Sequence, residues 1–334
     1  MTASASIDVR AYEAERSVAL FTDGWDELVA ANPWATSFQR AWWYRTWVRV
    51  VAAAESCTPV VFTAEAGGVR VGCGFGLYAT DSGTVARPLG WPWSDYHDAV
   101  GPDSPLGVDL VATMLTRLGA DHPVELRELR PHGLLARAGR KLGWTAAPDS
   151  ETVAVNLRDA AHLQRVTGRR EYAMKRRRLA RLGELRLTQL GDPDDIARLL
   201  PAFIEMHRAQ WADRADAVAP FDGGVVDEAF HAFGAAGGRE GGVLLTVLSH
   251  GDEPLAMYFG FRHGRWYGGY RTTYRLDAWR YSPGHLLLQE MLRDFHRAGL
   301  AELDLMRGGY AYKLAYASTV TRNTSLTLGS PTCT

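Results

Sequence analysis

Tyr281-Ser-Pro-Gly-His-Leu-Leu-Leu288 and, further along, Leu303-Asp-Leu-Met-Arg-Gly-Gly-Tyr-Ala-Tyr-Lys313 decide how this chain folds. Serine suits a helix N-cap and proline the first helical position, so the spacing predicts a helix over 283–298. Trp266-Tyr-Gly-Gly-Tyr-Arg-Thr-Thr before it and Ala301-Glu-Leu-Asp-Leu-Met after it read as strands. Strand, helix, strand is an α/β unit. The unbonded N–H groups and dipole of the helix start make a ready anion site, able to hold a phosphate or pyrophosphate. Gly284 lets a ligand come close to the backbone. The second strand ends in an Arg307-Gly-Gly turn followed by Tyr310, Tyr312 and Lys313. Charged and aromatic groups just past a strand's carboxyl end are where open α/β sheets place ligands. Asp304 can serve as a base, orient one, or pair with Arg307. Tyr312 can return a proton to a leaving thiolate.

The first half of the chain carries the same plan. Pro59-Val-Val-Phe-Thr-Ala, a Glu-Ala-Gly-Gly turn and Val69-Arg-Val-Gly-Cys-Gly-Phe-Gly-Leu read as a β-hairpin, like Gly242–Leu248 and Leu255–Phe261 later on. An amphipathic helix over 108–119 precedes the alternating strand Val124-Glu-Leu-Arg-Glu-Leu. Shifting the numbering by about 177 lays Leu110 on Leu287, Met114 on Met291, Leu126 on Leu303 and Arg130 on Arg307. That pattern points to a duplicated unit. Ala147-Pro-Asp-Ser reads as a turn near the boundary. Trp25–Val29 and Trp42–Val48 have helical spacing, broken at Asn32–Pro33.

Composition excludes several classes. The 334 residues are 46% apolar and 22% charged with a net charge of −1, ordinary for a globular enzyme and without a global pull toward nucleic acid or acidic lipid. Cys57, Cys73 and Cys333 are far apart and form no CxxC pair, so neither a zinc site nor a disulfide framework is expected. No apolar run nears the roughly 20 residues that span a bilayer, and Met1–Phe21 has no signal-peptide pattern, so a cytoplasmic protein without a membrane partner is expected.

Taken in order, these segments resemble the CelD/BcsL-type acetyltransferase-like family of the GCN5-related N-acetyltransferase (GNAT) superfamily, related to the FemABX peptidyltransferases. Phe203-Ile-Glu-Met-His-Arg-Ala-Gln-Trp211, Trp42-Trp43…Trp47, Ser94-Asp-Tyr-His-Asp98 and the basic stretch Arg169–Arg181 are similar to its other segments. The resemblance implies an α/β (α+β) protein of tandem acetyltransferase-like domains, each a mixed, mostly antiparallel sheet flanked by helices. They are expected at 1–158, on the acceptor side, and 159–334, on the acyl-donor side. It implies an acyltransferase that moves an acyl group from acyl-CoA to the amine of a small metabolite or amino sugar, with no metal. Aminoacyl-tRNA is the alternative donor, and a non-catalytic binding module a second alternative. The superfamily's pyrophosphate loop reads Gln/Arg-x-x-Gly-x-Gly/Ala, whereas Tyr281 stands first here and Leu286 last. Tyr270, Arg271, Tyr281, Ser282, Gly284, His285, Arg307 and Lys313 are the expected donor-binding residues. Asp95, His97, Asp98, Asp304 and Tyr312 are the expected acid–base groups, since an amine must lose a proton before it attacks. Trp93, Tyr96, Trp211 and Arg214 are expected to line the acceptor cleft. Nine Arg or Lys lie between Arg165 and Arg186. Lys175, Arg176, Arg177 and Arg178 could grip tRNA or a nucleotide phosphate, or form a solvated face balanced by Asp192–Asp195.

Overall fold

The computed structural model describes residues 7–81, 83–181, 183–212, 221 and 223–328. The chain divides into two compact units, one formed by residues 1–151 and 322–334, the other by 152–321.

In the first unit, strands Asp8–Glu13 (β1), Cys57–Ala66 (β2), Val69–Thr80 (β3) and Gly83–Pro88 (β4) form an antiparallel sheet in sequence order. The β2–β3 turn is tight because Gly67 and Gly68 take φ of +55° and +76°, which suits the twist of a two-residue hairpin. Helix Pro105–Asp121 follows and buries Leu110, Val111, Met114, Leu115 and Leu118. It returns the chain to strand Glu125–Leu129 (β5), which runs parallel to β4 at Ala86 and Val124. Helix Leu134–Lys141 closes this part. The tryptophans expected to form a helix do so over Ala41–Val50, and Trp42, Trp43 and Trp47 are buried.

Strand Thr145–Asn156 (β6) leads into the second unit, where it joins Leu185–Leu190 (β7), Val243–His250 (β8), Glu253–His263 (β9), Trp266–Tyr274 (β10) and Glu302–Arg307 (β11). Their order is β6-β11-β10-β9-β8-β7, antiparallel except for the parallel pair β10–β11. Helix Pro283–Arg297 connects that pair and buries Leu287, Leu288, Met291, Leu292 and Phe295 against the strands. Both units therefore contain strand, helix and parallel strand, as the internal repeat requires, within mixed, mostly antiparallel sheets flanked by helices.

Two boundaries differ from expectation. Ala147-Pro-Asp-Ser is not a turn but part of β6. The Asp149 carboxylate takes the Arg127 guanidinium at 2.8 Å and the Glu128 amide at 3.0 Å, which holds the segment extended. The division between units falls at 151/152 rather than 158/159. Residues 322–334 join the first unit rather than the second, because the end of strand Thr319–Thr327 (β12) pairs with β5 from Thr324 to Thr327.

Candidate functional site

Strands β10 and β11 stay paired for three residues and then part. Trp266, Tyr267 and Gly268 lie opposite Glu302, Leu303 and Asp304. Beyond Gly268, β10 continues to Tyr274 against β9, while β11 continues to Arg307 against β6. A wedge opens between them, and the helix that starts at Pro283 follows the open end of β10.

That helix start is uncapped. Ser282 does not act as the expected N-cap. It sits in the left-handed region (φ +53°) and its side chain accepts no helix amide. Its Oγ accepts instead from Lys175 Nζ at 2.9 Å. The first helical bond is Leu286 N–H to the Ser282 carbonyl at 3.1 Å, so the amides of Gly284 and His285 precede the hydrogen-bonded ladder. A Cβ on Gly284 would meet only a Tyr274 ring carbon at 3.6 Å, an ordinary contact, so the fold itself does not demand glycine there. The equivalent start in the first unit is closed. Ser104 caps its own helix by accepting the Gly107 amide at 3.0 Å, and a Cβ on Gly107 would strike the Pro102 carbonyl at 2.5 Å. Leu286, which departs from the superfamily's small residue, is buried in the core beside Leu287 and Leu288.

Around this start, His285 stacks on Tyr172 at 4.8 Å and bonds through Nδ1 to the Tyr316 hydroxyl at 3.0 Å. Burial, then Lys175 and Arg169, lower its pKa. Tyr312 stands edge-on to His285 at 6.4 Å and stacks with the exposed Tyr310. Though about a third of Tyr312 is exposed, the surroundings of its hydroxyl push its pKa up to about 12, so the hydroxyl keeps its proton. Tyr281 is half-buried with Arg280 over its ring.

Several expected site residues have structural work instead. Asp304 is buried; its Oδ1 accepts the Met306 amide at 2.7 Å and its Oδ2 the Trp266 indole N–H at 3.3 Å. It holds the bulge at Met306, whose φ is +63°. Lys313 is buried and donates to the carbonyls of Arg307 and, at 3.4 Å, Met306. Tyr270 and Arg271 do not face the donor helix. A register shift between Gly269 and Arg271 turns them toward helices Pro193–Trp211 and Val225–Arg239. Tyr270 stacks on Phe230 at 5.8 Å, and the Arg271 guanidinium lies 5.5 Å over Phe221 and over Phe230. Trp211 is half-buried and stacks on His207 at 5.9 Å, while Arg214 lies outside the described residues.

In the first unit, Trp93, Asp95, Tyr96, His97 and Asp98 are all buried. Asp98 accepts the amides of Ala99 and Leu135 at 2.9 and 2.8 Å and so caps helix Leu134–Lys141. Burial raises its pKa to about 6, against the pull of those amides. His97 Nδ1 bonds to the Arg127 carbonyl at 3.0 Å, and Trp93 donates to Glu55 at 2.7 Å. Arg130 lies 4.0 Å over the Tyr96 ring. Asn323 donates to the Asp95 carbonyl at 3.4 Å. Glu128 was missed by the sequence reading. It is buried in the left-handed region (φ +52°), and its carboxylate accepts from Ser150 at 2.5 Å and Asn323 at 2.9 Å. The strand's own alternation signals this, since Glu128 falls in step with the inward Val124 and Leu126.

The basic helix Arg170–Ala180 divides by face. Lys175 turns inward to Ser282 and Arg176 pairs with Glu290, while Arg177 and Arg178 are exposed. The acidic stretch does not balance this face as expected. Asp192 caps helix Pro193–Trp211 and Asp195 pairs with Arg198. Among the described residues, no cluster could hold a metal ion and no helix is long and apolar enough to cross a membrane.

Residues 167–314 match the family model of the Acetyltransferase (GNAT) domain. The second unit is a GNAT acetyltransferase domain. The match supports a transferase, and the β10–β11 wedge with its helix start lies within the matched residues. No curated protein matches. The solved structure of FemX is similar, with 9% identity, 91% of this chain and 94% of FemX covered, and a TM-score of 0.66. So are the C-terminal domain of a putative lysylphosphatidylglycerol synthetase from Agrobacterium fabrum (14%, 93% and 92%, 0.59) and L-PGS from Bacillus licheniformis (10%, 93% and 90%, 0.57). At these identities the likeness is one of fold.

One residue of the GNAT domain sets a pH response. Burial, then the nearby Arg271, lower the His207 pKa from its ordinary 6.5 to about 3. In that window the unfolded chain binds a proton that the native state refuses, so stability falls as pH drops from 6.5 toward 3, by at most about 1.4 kcal/mol per pH unit. Urea denaturation from pH 7 to pH 4 should show wild type losing stability faster than His207→Phe. Parallel curves would contradict this.

Proposed function

We propose that the protein transfers an acyl group from acyl-CoA to the amine of a small metabolite or amino sugar. The observation that carries this is the uncapped helix start at Gly284 and His285 beside the parted strands, with Lys175 held against Ser282. Two backbone amides, the helix dipole and one ammonium converge where a donor's pyrophosphate would rest. The thioester then extends into the wedge, where amides on the edge of β10 past Gly268 can hold the carbonyl oxygen as it gains charge. The neutral amine's nitrogen bonds to the carbonyl carbon, the carbon–sulfur bond breaks, Tyr312, protonated at neutral pH, gives its proton to the departing thiolate, and the surplus proton of the nitrogen returns through solvent to the tyrosinate. Asp304 keeps the end of β11 in shape and is a positioning residue in this scheme.

A second donor, aminoacyl-tRNA, is favoured by one observation, the exposed Arg177 and Arg178 on the helix that carries Lys175. The test is to incubate the purified protein with acetyl-CoA and a pool of amines and amino sugars and read products by mass spectrometry. Acetylated product supports the first donor. Activity in a charged-tRNA mixture that disappears with RNase, and none with acetyl-CoA, would replace it with the second.

A further inference from the structure

His207 is 6% exposed, and among the described residues its Nδ1 has no hydrogen-bond partner. A buried polar atom left unpaired is uncommon and asks for a reason. Its surroundings are aromatic: Trp211 stacks at 5.9 Å, Phe221 stands edge-on at 5.0 Å and Phe203 lies at 6.3 Å. One turn on along the same helix, Gln210 accepts from Thr273 Oγ1 at 3.1 Å and from the Tyr274 amide at 3.3 Å. That fixes this end of the helix to the part of β10 that lines the wedge, on the side away from helix Pro283–Arg297. Arg271, past the bulge, belongs to the same cluster through Phe221. On the transferase reading the donor lies against helix Pro283–Arg297, on the other side of β10, so this is where an acceptor would come to meet it.

We propose that His207 is an acceptor-binding residue whose Nδ1 hydrogen-bonds a hydroxyl of the amine substrate, with the Trp211 ring as the apolar wall beside it. This rests on the transferase reading above and adds the substrate class, a hydroxyl-bearing amine rather than a plain alkylamine. Imidazole suits the task because, kept neutral among these rings, it can give or take a hydrogen bond without adding charge beside Arg271. A phenylalanine would fill the same space and remove the unpaired nitrogen. An asparagine would keep a polar atom close to the Nδ1 position.

The experiment compares wild type, His207→Phe and His207→Asn with acetyl-CoA as donor and glucosamine or cyclohexylamine as acceptor. Acetyl-CoA binding is measured separately by calorimetry. The expected result is that His207→Phe raises the glucosamine KM about tenfold, the scale of one lost hydrogen bond, with kcat for cyclohexylamine and acetyl-CoA affinity unchanged. His207→Asn recovers most of the loss. A His207→Phe protein with wild-type preference for glucosamine over cyclohexylamine overturns the proposal. The same preference with a raised Tm would mark the nitrogen as a tolerated packing defect. Failure of wild type to bind acetyl-CoA would count against the donor reading instead, because that arm does not involve His207.

Discussion

Replacing Gly284 with tryptophan should give a folded protein that binds acetyl-CoA roughly a hundredfold more weakly, the scale of two lost charge-assisted hydrogen bonds of about 1.5 kcal/mol each. The position is half-buried, and a Cβ there meets only Tyr274 at van der Waals distance, so the backbone accepts a side chain at this point without strain. An indole would cover the amides of Gly284 and His285. Gly284→Ala should bind nearly as well as wild type, since one methyl fits beside Tyr274. The pair separates loss of fold from loss of site: calorimetry gives the affinities and thermal denaturation shows whether both variants remain folded. Unchanged affinity in the tryptophan variant would place the donor elsewhere.

Asp304→Ala should destabilise the protein by about 3 kcal/mol, read by urea denaturation. The substitution leaves two buried donors unanswered, the Met306 amide and the Trp266 indole N–H, and releases a residue in the left-handed region. Asp304→Asn should cost less, because an amide oxygen can still accept from Met306, although its NH2 cannot serve Trp266. If Asp304 only positions, the acetyl-transfer rate of Asp304→Asn should stay within about tenfold of wild type. A stable asparagine variant with a far lower rate would restore Asp304 as the base.

Local signals in the sequence carry as far as local physics does. Ser282-Pro283 marks a helix start and the helix begins there, while the amphipathic stretch over 108–119 is the middle of a helix that runs from Pro105 to Asp121. The Gly67-Gly68 pair gives its hairpin, and strand–helix–strand recurs in both units. What a single strand of text cannot show is the partner that arrives from elsewhere in the chain. Ser282 reads as a cap, but its hydroxyl accepts from Lys175 instead and caps no helix amide. Ala147-Pro148-Asp149-Ser150 has turn composition, yet Arg127 and the Glu128 amide hold it as strand. Tyr270 and Arg271 lie on the strand expected to bind the donor, but one bulge turns them to the other side. Asp98 reads as an acid–base group and caps a helix; Glu128, on the alternating strand, is buried at a positive φ. Apart from that bulge, the residue's neighbourhood was legible in each case, while its role depended on a hydrogen bond from elsewhere in the chain.

The most direct measurement is a crystal structure of the protein grown with acetyl-CoA. The expected structure has the pyrophosphate accepting hydrogen bonds from the backbone amides of Gly284 and His285, with Lys175 alongside and the thioester between β10 and β11. Coenzyme bound with its phosphates away from residue 284, or that corner filled by the protein's own side chains, would contradict it.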